Sequence, residues 1–455
     1  MAGLGRHRWP LDLFTRTLQD SGLRRLARRS VGTYALRIAG AAAGFVFHVV
    51  MARSLGAGGA GVYYLGLAIA TLGSLLSRLG LDNALLRIAA SEADRDGWPA
   101  LRGVDRSAHL LAGTASLVLT TALVLGSDLI ASVVFHKPDV ARIIRIMALS
   151  VAPLSLLSLH GETFKAVGAS YAATVIQGLA VPLTSLVIML IAFSAGAAAS
   201  VETIAWCYTG ATGLVWLGSA AAWRIVLARR PPGLVGYPAR RLLDASLPLL
   251  FVVSLSAAMA PASMFLLGIW LPVEAIGLYG VAQRCASLLL LVFAAVSTVS
   301  APRFAALHSR GELAALGAFA RRSALVGGVI AAPFLIAFLP FGARVLSVFG
   351  AEFVSATTIL GILTLGQFLA VLTGNANDLL MMSGQEKILR NIVAVTTITY
   401  VGMLVGLVPA VGVDGAAAAR AVQLVATNIF SAIYVYKKIG VNLVPGPWRV
   451  RGGTG

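Results

Sequence analysis

Four arginines stand inside stretches otherwise built of apolar residues: Arg37, Arg78, Arg284 and Arg420. A charged side chain at the centre of a membrane helix costs ~2.5–3.5 kcal/mol on insertion scales, so it usually faces a cavity, a partner or a ligand. The chemistry open to a guanidinium is anion binding, because its planar fork matches a carboxylate or phosphate with two parallel hydrogen bonds. Gln283, beside Arg284, and Gln423, three residues after Arg420, add neutral donors and acceptors. Arg37, Gly40, Ala41, Gly44 and His48 share one face at helical spacing, as do Arg420, Gln423, Thr427, Ser431 and Tyr434. Gln367, Gly374, Asn375 and Asp378 form a third such stripe. The six candidate substrate-binding residues are therefore Arg37, Arg78, Arg284, Arg420, Gln283 and Gln423. Asp82, Glu162 and Asp378 are the candidates for ion coupling.

Several of these have a plainer role open to them. Arg78 and Asp82 stand four apart and can neutralise each other. Arg37 lies within two turns of a helix end and can snorkel to the surface, and the Gly40/Gly44 pair suits close helix packing. Arg284 and Arg420 have no carboxylate three or four residues away, so a cavity is the expected setting for both. His48 and His160 are expected to be packing histidines. Glu162 and Asp378 either titrate during transport or mark a helix exit; both readings stay open. The chain has no GxxxxGK[ST], HExxH or GxSxG, so neither nucleotide hydrolysis nor another enzymatic activity is expected. Asp94-Arg95-Asp96 reads as solvated surface, and no metal or cofactor is implied.

The elements that must position these groups follow from composition. The 455 residues are 58% hydrophobic and 12% charged, with mean hydropathy +0.86, and a soluble chain would carry about twice that charge. Twelve apolar runs have membrane-spanning length: 31–52, 62–82, 107–126, 144–165, 171–194, 202–224, 246–270, 276–300, 322–341, 357–382, 390–410 and 415–436. The net charge of +18 is spread between these runs, which excludes a nucleic-acid partner. With the N-terminus inside, 27 of the 36 Lys and Arg residues fall in inner segments and 5 in outer ones, placing both termini in the cytoplasm. Cys207 and Cys285 lie within apolar runs, so a disulfide framework is not expected.

The runs form two sets of six. Displaced by 216 positions, the pattern of Arg53–Ser91 returns over Leu271–Leu307: Gly61 meets Gly277, Tyr63 meets Tyr279, and Arg87-Ile88-Ala89-Ala90 meets Arg303-Phe304-Ala305-Ala306. Gly126 meets Gly342, and Gly168 meets Gly384. Six spans per copy preserve orientation, so the expected fold is all-α, two parallel six-helix repeats around a central cavity. The expected organisation is a basic amphipathic segment (1–30), an N-terminal bundle (31–224), a cytoplasmic linker (225–245), a C-terminal bundle (246–436) and a basic tail (437–455).

The stretch Ala52-Arg53-Ser54-Leu55-Gly56 through Gly61-Val62-Tyr63 to Leu79-Gly80-Leu81-Asp82 resembles the start of Wzx-type O-antigen and exopolysaccharide flippases. These belong to the multidrug/oligosaccharidyl-lipid/polysaccharide exporter superfamily. The resemblance implies movement of undecaprenyl-pyrophosphate-linked oligosaccharide from the inner to the outer leaflet of the cytoplasmic membrane, for surface polysaccharide biosynthesis. Lipid-linked oligosaccharide and membrane lipids are the implied partners, with a polysaccharide polymerase and other assembly proteins beside them. In similar lipid II flippases, arginines on spans one, two and eight line a cationic cavity; Arg37, Arg78 and Arg284 fall on those spans here. Arg37 and Arg78 are expected nearer the inner mouth, and Arg284 and Arg420 in the outer half. A drug/cation antiporter of the same superfamily is the alternative, but it would keep a carboxylate in span one, which has none.

Overall fold

Inside lipid an apolar run must satisfy its own backbone N–H and C=O groups, and a helix does so within one segment. The computed structural model describes residues 21–373 and 376–443, and every regular element among them is helical. Ten stretches are long and apolar enough to cross a membrane. One of them, Gly32–Ser77, has 46 residues, or about 69 Å at ~1.5 Å per residue, twice a hydrocarbon core of ~30 Å. It belongs to α1 (Ser21–Ser77), which breaks at Gly56, where φ 69 and ψ −177 leave helical space. Glycine alone adopts that conformation at little cost. Counting both arms of α1, and adding α8 below, gives the twelve spans the sequence implies.

The chain continues through α2 (Leu81–Asp94), α3 (Trp98–Leu125), α4 (Ala141–Ala148) with α5 (Val151–Ala166), α6 (Ser170–Ser194) and α7 (Val201–Ala228). The second half holds α8 (Ala239–Trp270), α9 (Val273–Ala286) with α10 (Leu289–Ser309), α11 (Leu313–Phe338), α12 (Thr357–Leu372) with α13 (Ala376–Met382), α14 (Glu386–Val411) and α15 (Val413–Ile439). Three details depart from expectation. Span three begins at Trp98, nine residues early, with Pro99 in its first turn, where a missing N–H costs nothing. Spans four, eight and ten are each two helices, and α6 carries a π-helical turn at Val175–Leu179. The backbone is helical from Ser21 up to the break at Gly56, so Ser21–Ser30 prolong the first span. The rest of the basic N-terminal segment, the Gly374-Asn375 pair and the tail beyond Leu443 lie outside the described residues.

The repeat is written into the backbone. Gly168 and Gly384 have φ 75 and 74, and Gly196 and Gly412 have φ 87 and 70; each pair is 216 residues apart. The break at Gly56 recurs at Leu271 and Pro272, between α8 and α9. At the seam between the halves, a Cβ on Gly61 would collide with the Val273 carbonyl oxygen and lie 3.0 Å from Gly277 N. A Cβ on Gly277 would collide with the Ala57 carbonyl oxygen and lie 3.0 Å from Gly61 N. Each contact is its partner's image, as a two-fold axis along the membrane normal requires.

The core follows the seam. Near the rim that carries Gly56, residues of both halves share one cluster, with Tyr63, Tyr279, Phe349 and Phe353 fully buried. Toward the opposite rim it divides into an N-terminal cluster around Leu85, Trp98, Leu157 and Trp223 and a C-terminal one around Phe304, Leu316, Leu380 and Ile439. The bundles are fused at the Gly56 rim and separate below it.

Candidate substrate cavity

Three chambers of about 500, 470 and 380 Å³ fill the space between the bundles, and Thr71 of α1 lines all three. The first lies against the N-terminal bundle, with Ala41, Gly44 and His48 on one wall and Gln177 and Pro182 on another. The second lies against the C-terminal bundle and takes Gln283, Gln367 and Arg420. The third descends toward the opposite rim through Arg78 and Ser158. The Gly56 rim is shut by the glycine seam and by an edge-on contact of Phe45 and Phe349, centroids 5.3 Å apart. On the flank between α1 and α10, the Tyr34 hydroxyl donates to the Leu291 carbonyl at 2.6 Å.

Arg284 lines both larger chambers. Its guanidinium is exposed to that space and stands 6.0 Å from the Tyr64 ring centroid. Among the described residues no carboxylate is within ion-pair distance of it. His48, Tyr63, Tyr64 and Tyr208 build an aromatic wall with centroid separations of 5.5 to 6.4 Å. Arg420 is better held: its Nη1 donates to Gln423 Oε1 at 2.7 Å and touches the Met259 sulfur at 3.3 Å. Gln423, buried, continues through Thr427 to Thr396. At ~1.5 Å per residue, Arg420 lies about 10 Å below the Gly56 rim and Arg284 about 16 Å. Arg420 thus lies in the half nearer the Gly56 rim, whereas Arg284 is near mid-depth.

Arg78 takes the plainer role the sequence offered. Its Nη1 pairs with Asp82 Oδ1 at 3.0 Å and donates to Ser158, whose hydroxyl also donates to Asp82. Arg37 is exposed and lines none of these chambers; it stands one turn beyond Ala41, on the stripe that Gly44 and His48 continue into the cavity. Of the candidate coupling carboxylates, Asp82 is bound to Arg78, and Glu162 is bound to Lys165 at 2.7 Å and Gln177 at 2.9 Å. Asp378 accepts a hydrogen bond from Ser297 and meets no cation among the described residues.

Sequence reasoning missed Gln177, Tyr64 and Tyr208. Gln177 reaches the cavity from the π-helical turn of α6, a deformation no periodicity announces. It missed a second polar group too, in which Asp105 and His109 of α3 meet His160 of α5. With span three begun at 107, Asp105 read as a loop residue.

The family described as Polysaccharide biosynthesis protein matches residues 29–308. Among curated protein sequences, none matches the chain. Among solved structures, the lipid II flippase MurJ in an inward closed conformation aligns with TM-score 0.69 at 13% identity, over 89% of this chain and 87% of that one. An inward-facing multidrug resistance MATE transporter of the MOP superfamily gives 0.67 at 13%, over 87% and 98%. A MOP superfamily transporter from Pyrococcus furiosus, described by the reverse polarity of its binding pocket, gives 0.59 at 14%, over 90% and 95%. At these identities the likeness establishes the fold, and with it the all-α, twin-bundle expectation.

Proposed function

The chain belongs to the polysaccharide biosynthesis protein family, and we propose that it is a flippase working by alternating access. Its proposed substrate is undecaprenyl-pyrophosphate-linked oligosaccharide, carried across the cytoplasmic membrane for surface polysaccharide biosynthesis. Arg284 carries this reading: a guanidinium near mid-depth, in the wall of both larger chambers, without an acidic partner among the described residues. A pyrophosphate brings two or more negative charges into a low-dielectric space, which is costly unless fixed cations meet it. Arg420 and Gln283 face the same space, while the lipid tail stays in the bilayer. The opposite rim, rich in Lys and Arg, is the cytoplasmic side on this reading, and the structure is the inward state.

The halves 31–224 and 246–436 then rock about the glycine seam, with 225–245 joining them. Arg37 and Arg78 lie along the entry path, and Asp378 is the carboxylate left to titrate. A polymerase and other assembly proteins would receive the product outside. The fixed charges facing the chambers are positive, which disfavours a drug/cation antiporter.

Arg284→Ala should abolish complementation of a flippase-deficient strain while protein level and membrane insertion stay near normal. Arg284→Lys should restore part of the activity, since charge returns without the fork, and Arg95→Ala at the end of α2 should be silent. Full complementation by Arg284→Ala would remove the cavity from the mechanism.

A further inference from the structure

Below the cavity, buried between α3, α5 and α7, the N-terminal bundle holds a group of polar side chains that substrate binding does not use. Asp105 is 8% exposed. Its Oδ1 accepts from Thr163 at 3.0 Å and lies 3.1 Å from His109 Nδ1, and its Oδ2 accepts from Trp223 Nε1 at 2.8 Å. The His109 and His160 rings face each other with centroids 4.5 Å apart, tilted by 34°. The repeat does not carry the same group: Asp105 and His109 correspond to Arg321 and Leu325. The positions equivalent to His160, Thr163, Ser219 and Trp223 are Ala376, Leu379, Val435 and Ile439, and all four belong to the C-terminal apolar cluster.

The hydrogen-bond partners fix where a proton can go. His109 Nδ1 faces the Asp105 carbonyl oxygen at 2.9 Å and its carboxylate, both acceptors only, so Nδ1 carries the hydrogen. His160 Nδ1 lies 2.9 Å from the Ser219 hydroxyl, which also reaches the Trp216 carbonyl at 2.8 Å. The open acceptor of His109 is Nε2, which is buried with no partner.

We propose that His109 Nε2, with Asp105 as its counter-charge, is a one-proton binding site of the N-terminal bundle. Uptake forms one N–H bond with a proton delivered by water and turns the neutral ring into an imidazolium. The group of Asp105, His109 and His160 then passes from net −1 to net zero, removing an uncompensated charge from the membrane interior. Their closeness lets only one of the two rings be charged at a time.

Among the described residues no other charge packed around this group is poised to take that part. On α3, Arg102 donates to the carbonyls of Leu227, Arg230 and Pro231, and Arg106 is exposed. Glu162 and Lys165 of α5 are paired, as are Asp82 of α2 and Arg78 in the turn before it. Arg87 of α2, Arg224 of α7 and Arg241 and Asp244 of α8 are exposed, while Glu92 and Asp94 lie in the last turn of α2. Arg142 and Arg145 of α4 are paired with Glu202 and Asp128 near the Gly56 rim.

The test is nitrogen-15 NMR of the full chain, histidine-labelled, in lipid bilayers from pH 8.5 to 5; His109→Gln assigns the signals among six histidines. The bare Nε2 resonance of His109 should convert to a protonated one within that range, and in Asp105→Asn it should stay bare throughout. Ser219→Ala, which leaves Asp105 untouched, should keep the conversion. A His109 ring that holds one charge state across the range in the unmodified chain overturns the site, as does conversion that persists in Asp105→Asn. Should Asp105→Asn not accumulate, the titration of the unmodified chain still decides. The site stands apart from the transport reading, and either can fail alone.

Discussion

The two bundles share a backbone and differ in what fills it. Positive-φ glycines recur at 168 and 384 and at 196 and 412, yet no cavity arginine has an arginine at its repeat position. The equivalents of Arg37, Arg78, Arg284 and Arg420 are Val253, Ala294, Ala68 and Ile204. Within the buried Asp105 group, His160, Thr163, Ser219 and Trp223 face apolar equivalents, while Asp105 itself is matched by Arg321. The two halves share a scaffold and differ in the charges placed on it. What is symmetric should therefore matter for folding, and what is asymmetric for function.

The largest effect should come from breaking the symmetric part. Gly61→Ala and Gly277→Ala each drive a methyl onto a backbone carbonyl of the other half, and overpacking of this kind costs ~1–3 kcal/mol or more. Both should lower the thermal midpoint of the purified protein, and by similar amounts. Gly213→Ala and Gly402→Ala, where a Cβ meets nothing within 4 Å, should leave it unchanged. A fall in only one of the seam variants would mean that the halves are not held reciprocally.

Next comes the asymmetric core. Trp223→Phe keeps an aromatic ring against Phe164 but removes the donor to Asp105 Oδ2, leaving a buried carboxylate oxygen short of a partner at a cost of ~1–3 kcal/mol. The repeat equivalent, Ile439→Val, removes one methylene and should cost ~0.5–1.5 kcal/mol. Thermal unfolding of the two variants should rank them in that order. Equal losses would show that the Asp105 group adds nothing beyond packing.

The sequence carried the scaffold well, because each part of it rests on local chemistry. Apolar length reads as a span, glycine at Gly56 reads as a break, and the 216-residue echo reads as a two-fold seam. The site was legible only where a charge stood in an apolar run. Arg284 and Arg420 were found that way and do face the cavity. Arg78 was found by the same signal but is satisfied by Asp82 and Ser158, a contact across 80 residues that helical spacing cannot foresee. Gln177 was hidden because its placement depends on a π-helical turn, and Asp105 because the start of α3 is too polar to read as a span.

Among the arginines the effects should be graded by their partners. Arg420 faces one chamber and is already engaged by Gln423 and Met259, whereas Arg284 serves two. Arg420→Ala should leave partial complementation where Arg284→Ala leaves none. Gln423→Leu should lie close to Arg420→Ala, since it frees the guanidinium from its 2.7 Å anchor. If Arg420→Ala proves the more severe, the C-terminal chamber dominates anion binding.

The smallest effect belongs to Arg37. It is exposed, lines none of the three chambers and stands one turn before Ala41, on the stripe that Gly44 and His48 continue into the cavity. An exposed charge at a mouth acts through space, and such fields fade over a Debye length of ~10 Å at 0.1 M salt and ~3 Å at 1 M. Arg284, within the walls of both larger chambers, is screened less. Binding of inorganic pyrophosphate to the purified protein, followed by calorimetry at low and high salt, separates the two. Arg37→Ala should weaken binding by about twofold at low salt, the scale of a surface charge interaction worth a few tenths of a kcal/mol, and have no effect at high salt. Arg284→Ala should weaken it severely under both conditions. Loss of binding in Arg37→Ala that persists at high salt would place this arginine in direct contact with the anion and extend the site to the mouth.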